Sequence, residues 1–273
     1  LFRSPPREIA ALLDHLSLST IAVVGDFCLD AYWILDPSSG ESSVETGLKT
    51  QPVVRHRYSP GGAGNVAMNL LALEVSKIAV FGVIGDDPFG RELLRLLDDP
   101  RVDLSGLVVQ ERDWQTHVYV KPHDRDTELN RIDFGNFNVL SPETCEELFE
   151  RLERVLPDVS AVLINHQVMG SLHNLEAFRT RLNGLIKSHP EICFIVDSRG
   201  YHEAYSGAIH KLNAHEVLHQ IGKEVDPSDA IPIDELVCDA QALHARWKAP
   251  LVVTRGEYGC LVIDSSGPKQ VFG

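Results

Sequence analysis

Residues 60–67 read Pro-Gly-Gly-Ala-Gly-Asn-Val-Ala, a glycine cluster that opens directly into an apolar run. Gly61, Gly62 and Gly64 let backbone approach a ligand with no Cβ in the way. Val66, Ala67, Leu70, Leu71 and Leu73 have helical spacing, so the amides of a helix start would face whatever sits above the glycines. Asn65 both donates and accepts hydrogen bonds, which suits a polyhydroxy ligand. Gly62-x-Gly64-x-x-Ala67 also satisfies the dinucleotide-binding fingerprint, with Asp86 about 20 residues further on. That fingerprint follows a buried strand, whereas Arg55 to Pro60 is polar and ends in proline. The buried run Ile21-Ala22-Val23-Val24 comes earlier and leads into Gly25-Asp26-Phe27-Cys28-Leu29-Asp30 instead. A glycine loop that only permits a tight strand-to-helix turn is the plainer alternative.

Two further segments carry chemistry-bearing residues. Asn213 and Glu216 are three apart and face the same way if they open a helix, where they also form an ordinary capping pair. His215-Glu216-Val217-Leu218-His219 matches H-E-x-x-H, which on a helix binds zinc through both histidines with the glutamate as base. It defines a second enzyme class, a zinc metallopeptidase using His215, Glu216 and His219. No third ligand stands out among Glu224, Asp226 and Glu235, and a pair of helix-surface histidines is the plainer account.

In order along the chain, these segments resemble the ribokinase-like (PfkB-type) carbohydrate kinases. Val23-Val24-Gly25-Asp26 with Asp30 is similar to the family's opening strand and its sugar-binding aspartate. Pro60 to Asn65 is similar to its sugar-binding glycine loop, and Val83-Ile84-Gly85-Asp86-Asp87-Pro88-Phe89-Gly90 to the strand-to-helix segment that follows. Asn213-Ala214-His215-Glu216 resembles its N-x-x-E motif, and Thr254-Arg255-Gly256-Glu257-Tyr258-Gly259 its T-x-G-x-x-G nucleotide segment. Within the family, the heptose 7-phosphate kinase branch is the most similar. Gly25 to Trp33, Asn65-Val66-Ala67-Met68-Asn69, Arg131-Ile132-Asp133-Phe134 and Asp197-Ser198-Arg199-Gly200 carry that likeness. Asn165-His166-Gln167 departs from it, because the branch has an acid-containing loop there, and this puts substrate specificity in doubt.

The resemblance implies an α/β fold: a three-layer sandwich with a central, mostly parallel sheet and a small β-sheet lid over the sugar. It implies ATP-dependent phosphorylation of a sugar or sugar phosphate, with heptose 7-phosphate as leading acceptor and Mg2+ as cofactor. Phosphoryl transfer asks the protein mainly to position donor and acceptor and to neutralise charge. Substrate would be held by Asp26, Asp30, Gly61, Gly62 and Asn65. Asp26 directly follows a strand end, so it is equally a loop-structuring residue. ATP would be held by Asn213, Glu216, Thr254, Gly256 and Gly259, with Glu216 acting on magnesium indirectly through waters. The family's general base and phosphate hole come from a Gly-Ala-Gly-Asp segment at a helix N-terminus, and residues 1–273 contain none. The expectation is a single kinase domain, 1–273, incomplete at its C-terminal end. A catalytically inactive sugar-binding pseudokinase is the alternative.

Composition is consistent with this reading. The chain has 273 residues, 44% of them hydrophobic, enough for one large α/β domain with a well-buried core. A net charge of −14 argues against nucleic acid as a general partner, since that binding rests on Lys and Arg neutralising phosphates. No apolar run approaches the roughly 20 residues needed to span a bilayer. The start, Leu1 to Arg7, lacks the layout of a signal peptide. Five scattered cysteines without C-x-x-C spacing read as small buried hydrophobes, and the cytoplasm is the expected location.

The elements that must position these residues alternate as a parallel sheet with crossover helices requires. Strands are expected over 21–24, 78–83, 159–164, 193–196 and 251–254. Helices are expected over 65–73, 91–97, 144–156, 175–187 and 232–247, with Ser141-Pro142-Glu143 as a capped helix start. Segments 31–58 and 108–131 carry β-type residues with polar interleaving and fit no crossover helix. In the resembling family they make the lid, whose exposed edges pair two subunits into a homodimer. Surface loops with short hairpins fit the pattern equally well.

Overall fold

The computed structural model describes residues 6–226, 229 and 231–272; Leu1 to Pro5 and Gly273, which bear on the terminal expectations above, lie outside them. The chain opens with α1 (Pro6–Leu16) and the buried strand β1 (Thr20–Gly25). A hairpin of a second, smaller sheet follows, β2 (Phe27–Leu35) and β3 (Val53–Gly62), running straight into α2 (Ala63–Ala72). Next come β4 (Lys77–Gly85), α3 (Pro88–Leu96) and β5 (Val102–Gln110). The smaller sheet then resumes with β6 (His117–Asp124), β7 (Thr127–Glu128) and β8 (Ile132–Phe134). The remainder is α4 (Pro142–Val155), β9 (Ala161–His166), α5 (Glu176–Ser188), β10 (Cys193–Ser198), β11 (Ile209–Asn213), α6 (Ala214–Gln220), α7 (Ile233–Trp247), β12 (Leu251–Thr254), β13 (Cys260–Asp264) and β14 (Gly267–Val271).

Nine strands form the large sheet, in the order β14-β13-β12-β11-β10-β9-β1-β4-β5. The pairs from β12 across to β5 are parallel, and β13 and β14 close one edge as antiparallel strands. Side chains on β1 alternate between the two faces: Ala22 and Val24 enter one core with α4 and α5, Ile21 and Val23 the other with α2. Burial on both faces is why this strand reads as an unbroken apolar run. A third core packs α6 and α7 against β11, β12 and β13.

The smaller sheet has the order β3-β2-β6-β7, with β8 also on β6. Segments 31–58 and 108–131 supply most of it, with two differences from the expected bounds. Val108 to Gln110 complete β5 of the large sheet, and the polar run ending in Pro60 is strand β3, extended but largely exposed. Odd-numbered residues of β2 (Phe27, Leu29, Ala31) join Val118 and Val120 in the core. Even-numbered ones (Cys28, Asp30, Tyr32) fall on the other face beside His117, Tyr119 and Lys121. One period-2 strand thus supplies both an anchor and a polar surface. Ser141 caps α4 as expected, accepting from the Thr144 amide at 3.0 Å. No helix is long and apolar enough to cross a membrane, among the described residues.

Candidate functional site

Open parallel sheets bind ligands at the carboxyl ends of their strands, and here that edge carries two cavities. The first, about 530 Å3, is lined by Tyr119 from β6, His166 and Gln167 after β9, and Arg199, Gly200 and Tyr201 after β10. The second, about 460 Å3, is lined by Asn213, Ala214, Ile231, Thr254, Gly256 and Tyr258, among others, at the ends of β11 and β12. A chain of polar contacts leads from the first cavity along β10 to Lys211 on β11. Gln167 accepts from Arg199 Nε at 3.1 Å and donates to Asp197 at 3.3 Å, and Asp197 accepts from Lys211 Nζ at 2.8 Å.

The glycine cluster lies at the end of β3 of the smaller sheet and the start of α2. Gly62 has φ 53 and caps α2 with no side-chain hydrogen bond, leaving first-turn amides without intrahelical partners. A Cβ on Gly62 would lie 2.3 Å from the Asp26 carbonyl oxygen, so only glycine fits. A Cβ on Gly61 would lie 2.7 Å from Cys28 Sγ and 3.2 Å from Asp30 Oδ2, which places Gly61 beside the Asp30 carboxylate. Asp30 is partly exposed and meets Lys121 Nζ at 2.8 Å. Asn65 is exposed in the first turn of α2.

Asp26 is placed differently. It is 2% exposed, and both its oxygens are used by the loop after β9: Oδ2 accepts from the Gln167 amide at 2.8 Å and the Val168 amide at 3.2 Å, and Oδ1 from the Ser171 hydroxyl at 2.6 Å. Burial pushes its pKa up to about 6 against the opposing pull of these hydrogen bonds. Of the two readings open for Asp26, the geometry is that of a loop-structuring carboxylate. Asp30, Gly61 and Gly62 are brought together; Asp26 touches this group through its backbone, where its carbonyl accepts from the Ala63 amide at 2.9 Å.

At the second cavity, Asn213 and Glu216 form a complete capping box. The Glu216 amide donates to Asn213 Oδ1 at 2.8 Å, and the Asn213 amide to Glu216 Oε2 at 2.7 Å. Thr254 donates to the Leu212 carbonyl at 3.3 Å, tying β12 to β11 below the cavity. Gly256 has φ 57 with open space where a Cβ would stand, and Gly259 closes the turn by accepting from the Arg255 amide at 2.8 Å. Ile231, Pro232 and Tyr258 give the cavity apolar walls suited to a flat base. The residues fit a nucleotide. For magnesium, the Glu216 carboxylate is already in the capping box and Asp229 also lines the cavity, which fits an ion held on phosphates with its waters.

Among the described residues, no three His, Cys, Asp or Glu side chains gather as a metal-holding group. The zinc reading of His215, Glu216 and His219 is therefore corrected: α6 is a single seven-residue helix whose glutamate serves its own N-terminus. Residues missed in the sequence include Lys121 and Tyr119, neither of which sits in a motif. Gln167 and Asn165 stand out in the sequence only as a departure from the heptose kinase branch, and Asn165, 4% exposed, has a partnerless Oδ1 near Gly62.

Residues 20–272 match the pfkB family of carbohydrate kinases. Among curated proteins, the chain is similar to "Bifunctional protein HldE" of Hyphomonas neptunium, 30% identical over 269 residues, covering 95% of this chain and 52% of that protein. The HldE of Vibrio vulnificus strain YJ016 is 29% identical over 256 residues, covering 92% and 50%. The chain thus spans about half the length of the curated relatives it matches. Among solved structures, phosphofructokinase-2 from Escherichia coli in complex with fructose-6-phosphate superposes with a TM-score of 0.66 at 22% identity, covering 93% of this chain and 80% of that one. Ribokinase from Arabidopsis thaliana, complexed with ribose and ATP, gives 0.68 at 16% identity, covering 93% and 78%. These two likenesses carry the ribokinase-like fold. On its sequence match across nearly its whole length, the chain belongs to the pfkB family of carbohydrate kinases.

Proposed function

We propose that this chain binds a sugar phosphate under its lid and ATP at the adjoining cavity, and serves transfer of the γ-phosphoryl group between them. Heptose 7-phosphate is the leading acceptor. The carrying observation is the pairing of two unlike cavities on one sheet edge: a polar one with Tyr119, Gln167 and Arg199, and a more apolar one ending in the 255–259 turn. Asp30 is the acceptor for sugar hydroxyls, with the Gly61 and Gly62 backbone and Asn65 as further sugar contacts, although none of these four is among the residues lining the first cavity. Lys121 holds the Asp30 carboxylate in place until hydroxyls compete for it. The lid excludes water during transfer.

Magnesium, when bound with the nucleotide, would neutralise charge on the phosphates. Asn213 and Glu216 would order its water shell from the start of α6, and Thr254 and Gly256 would let the nucleotide approach the backbone. The family's general base comes, on the resemblance, from a Gly-Ala-Gly-Asp segment, which residues 1–273 do not contain. The exposed edge of β3, with Val53 and Val54, supports pairing of lids between two copies.

The test is conversion of ATP to ADP by the full-length protein with a panel of sugars and sugar phosphates. Turnover dependent on heptose 7-phosphate is the expected result. Binding of the sugar phosphate without any turnover would establish the pseudokinase instead.

A further inference from the structure

Most cations around the first cavity are committed to protein acceptors. Arg131 is paired with Asp133, Lys121 with Asp30 and Lys211 with Asp197. Arg179 donates to the backbone carbonyls of His173 and Asn174. Arg199 differs. Its Nε is anchored on Gln167 Oε1 at 3.1 Å, while Nη1 and Nη2 donate to no acceptor among the described residues. Its neighbour Asp197 cannot serve as counter-ion, because that carboxylate is taken by Lys211 and Gln167.

The anchor is itself fixed. The Gln167 backbone is fastened to the buried Asp26, so the guanidinium is oriented by a chain of contacts from the end of β1. The side chain is exposed and lines the cavity with Tyr119 and Asn136. Its charge reaches Tyr119 and Cys28 on the polar face of the smaller sheet as well as His166 at the end of β9. A planar fork with one edge pinned and the other free is pre-organised for two parallel hydrogen bonds to a tetrahedral oxyanion. A neutral sugar hydroxyl would leave the charge uncompensated.

We propose that Arg199 is a phosphate-reading residue of this site, positioned by Gln167 and, through it, by Asp26. The proposal rests on the acceptor cavity described above and goes beyond it, because it assigns the recognised group and the side chain. The phosphate is either that of the acceptor sugar or the γ-phosphate of the nucleotide, and separate titrations distinguish them.

The test is calorimetry on the full-length protein with native Arg199, Arg199→Lys and Arg199→Gln. The probes are heptose 7-phosphate, the same heptose without phosphate, ATP, ADP and inorganic phosphate. Arg199 is exposed with a single side-chain hydrogen bond, so both variants fold, which thermal melting verifies. A tenfold or greater loss for heptose 7-phosphate in Arg199→Gln, with the unphosphorylated heptose unchanged, supports the acceptor's phosphate. A loss for ATP with ADP unchanged supports the γ-phosphate. Arg199→Lys falls between, because a point charge replaces the fork. Should the native protein bind neither sugar, the acceptor reading fails, and loss of inorganic phosphate or ATP binding in Arg199→Gln still supports the inference. Equal losses for the phosphorylated and unphosphorylated probes, or no loss for any phosphate, overturn it.

Discussion

The backbone amide of Gln167 donates a 2.8 Å hydrogen bond to Asp26 Oδ2 across 141 positions of the chain. With the Val168 amide and the Ser171 hydroxyl, it makes one buried carboxylate the fastening of the whole loop after β9. That loop forms a wall of the first cavity, so Asp26 acts on the site from behind it.

Replacing Asp26 with Ala leaves these donors without an acceptor. At about 1 kcal/mol for each hydrogen bond, the expected loss is about 3 kcal/mol in urea denaturation. Asp26→Asn is milder, since its oxygen still accepts from the amides and its NH2 donates to the Ser171 oxygen. The pKa is raised from 3.8 to about 6, so the folded state binds the proton more tightly than the unfolded chain. The native carboxyl therefore favours folding most at low pH, and that contribution is lost as pH rises through about 6. In Asp26→Asn this part of the pH profile should be flat.

Five buried histidines act in the opposite direction. Burial lowers His117, His166 and His210 to about 4 and His202 to about 3, and holds His173 well below 6.5. Below pH 6.5 the unfolded chain takes up protons that the folded chain refuses, so stability falls toward pH 4 by about 1.4 kcal/mol per pH unit for each histidine. This outweighs the single Asp26, and cooperative acid unfolding is expected between about pH 6 and 4. His202 and His210 share an Nδ1 to Nδ1 hydrogen bond of 3.1 Å, which one proton must bridge. His210→Gln keeps a polar partner and should reduce the slope, as circular dichroism against pH would measure.

Gly62→Ala should destabilise severely. Its φ of 53 disfavours any side chain, and the added Cβ would strike the Asp26 carbonyl oxygen at 2.3 Å. A loss of more than about 2 kcal/mol is expected from the backbone conformation and the clash together. A melting temperature equal to the native one would contradict the geometry.

The capping box separates two roles of Glu216. Glu216→Gln preserves the hydrogen bond to the Asn213 amide, so thermal stability should change little, whereas Asn213→Ala should cost about 1 kcal/mol. Magnesium-dependent binding of ATP should nevertheless weaken in Glu216→Gln, because the charge is gone. ATP affinity that is equally magnesium-dependent in both proteins would leave Glu216 a purely structural cap.

Asp30→Asn should weaken sugar phosphate binding by roughly 1.5–3 kcal/mol, about 10- to 150-fold, by removing charge-assisted hydrogen bonds to hydroxyls. The fold should tolerate it, since Asp30 is partly exposed and its partner Lys121 reaches solvent. Unchanged affinity by calorimetry would remove Asp30 from the acceptor wall.

Much was legible from residue order alone. The buried strands read as apolar runs because parallel strands are covered on both faces, and β1, β4, β9, β10 and β12 all lie at or within two residues of their expected positions. The glycine cluster was legible because positive φ and close backbone approach admit almost nothing else. Strands β5, β11, β13 and β14 were missed: β5 carries Asp103 and Ser105, and β14 is the edge strand, where polar residues are tolerated. By itself, the sequence determined the family, the layer architecture and the motifs at the strand ends, because these depend on local periodicity and short spacings. Only the tertiary structure decided that Asp26 faces the loop after β9, that Asp30 meets Lys121, and that Arg199 is left with a free face. Those outcomes depend on which distant segments the sheet order brings together, and on the competition among neighbouring donors for a small number of carboxylates.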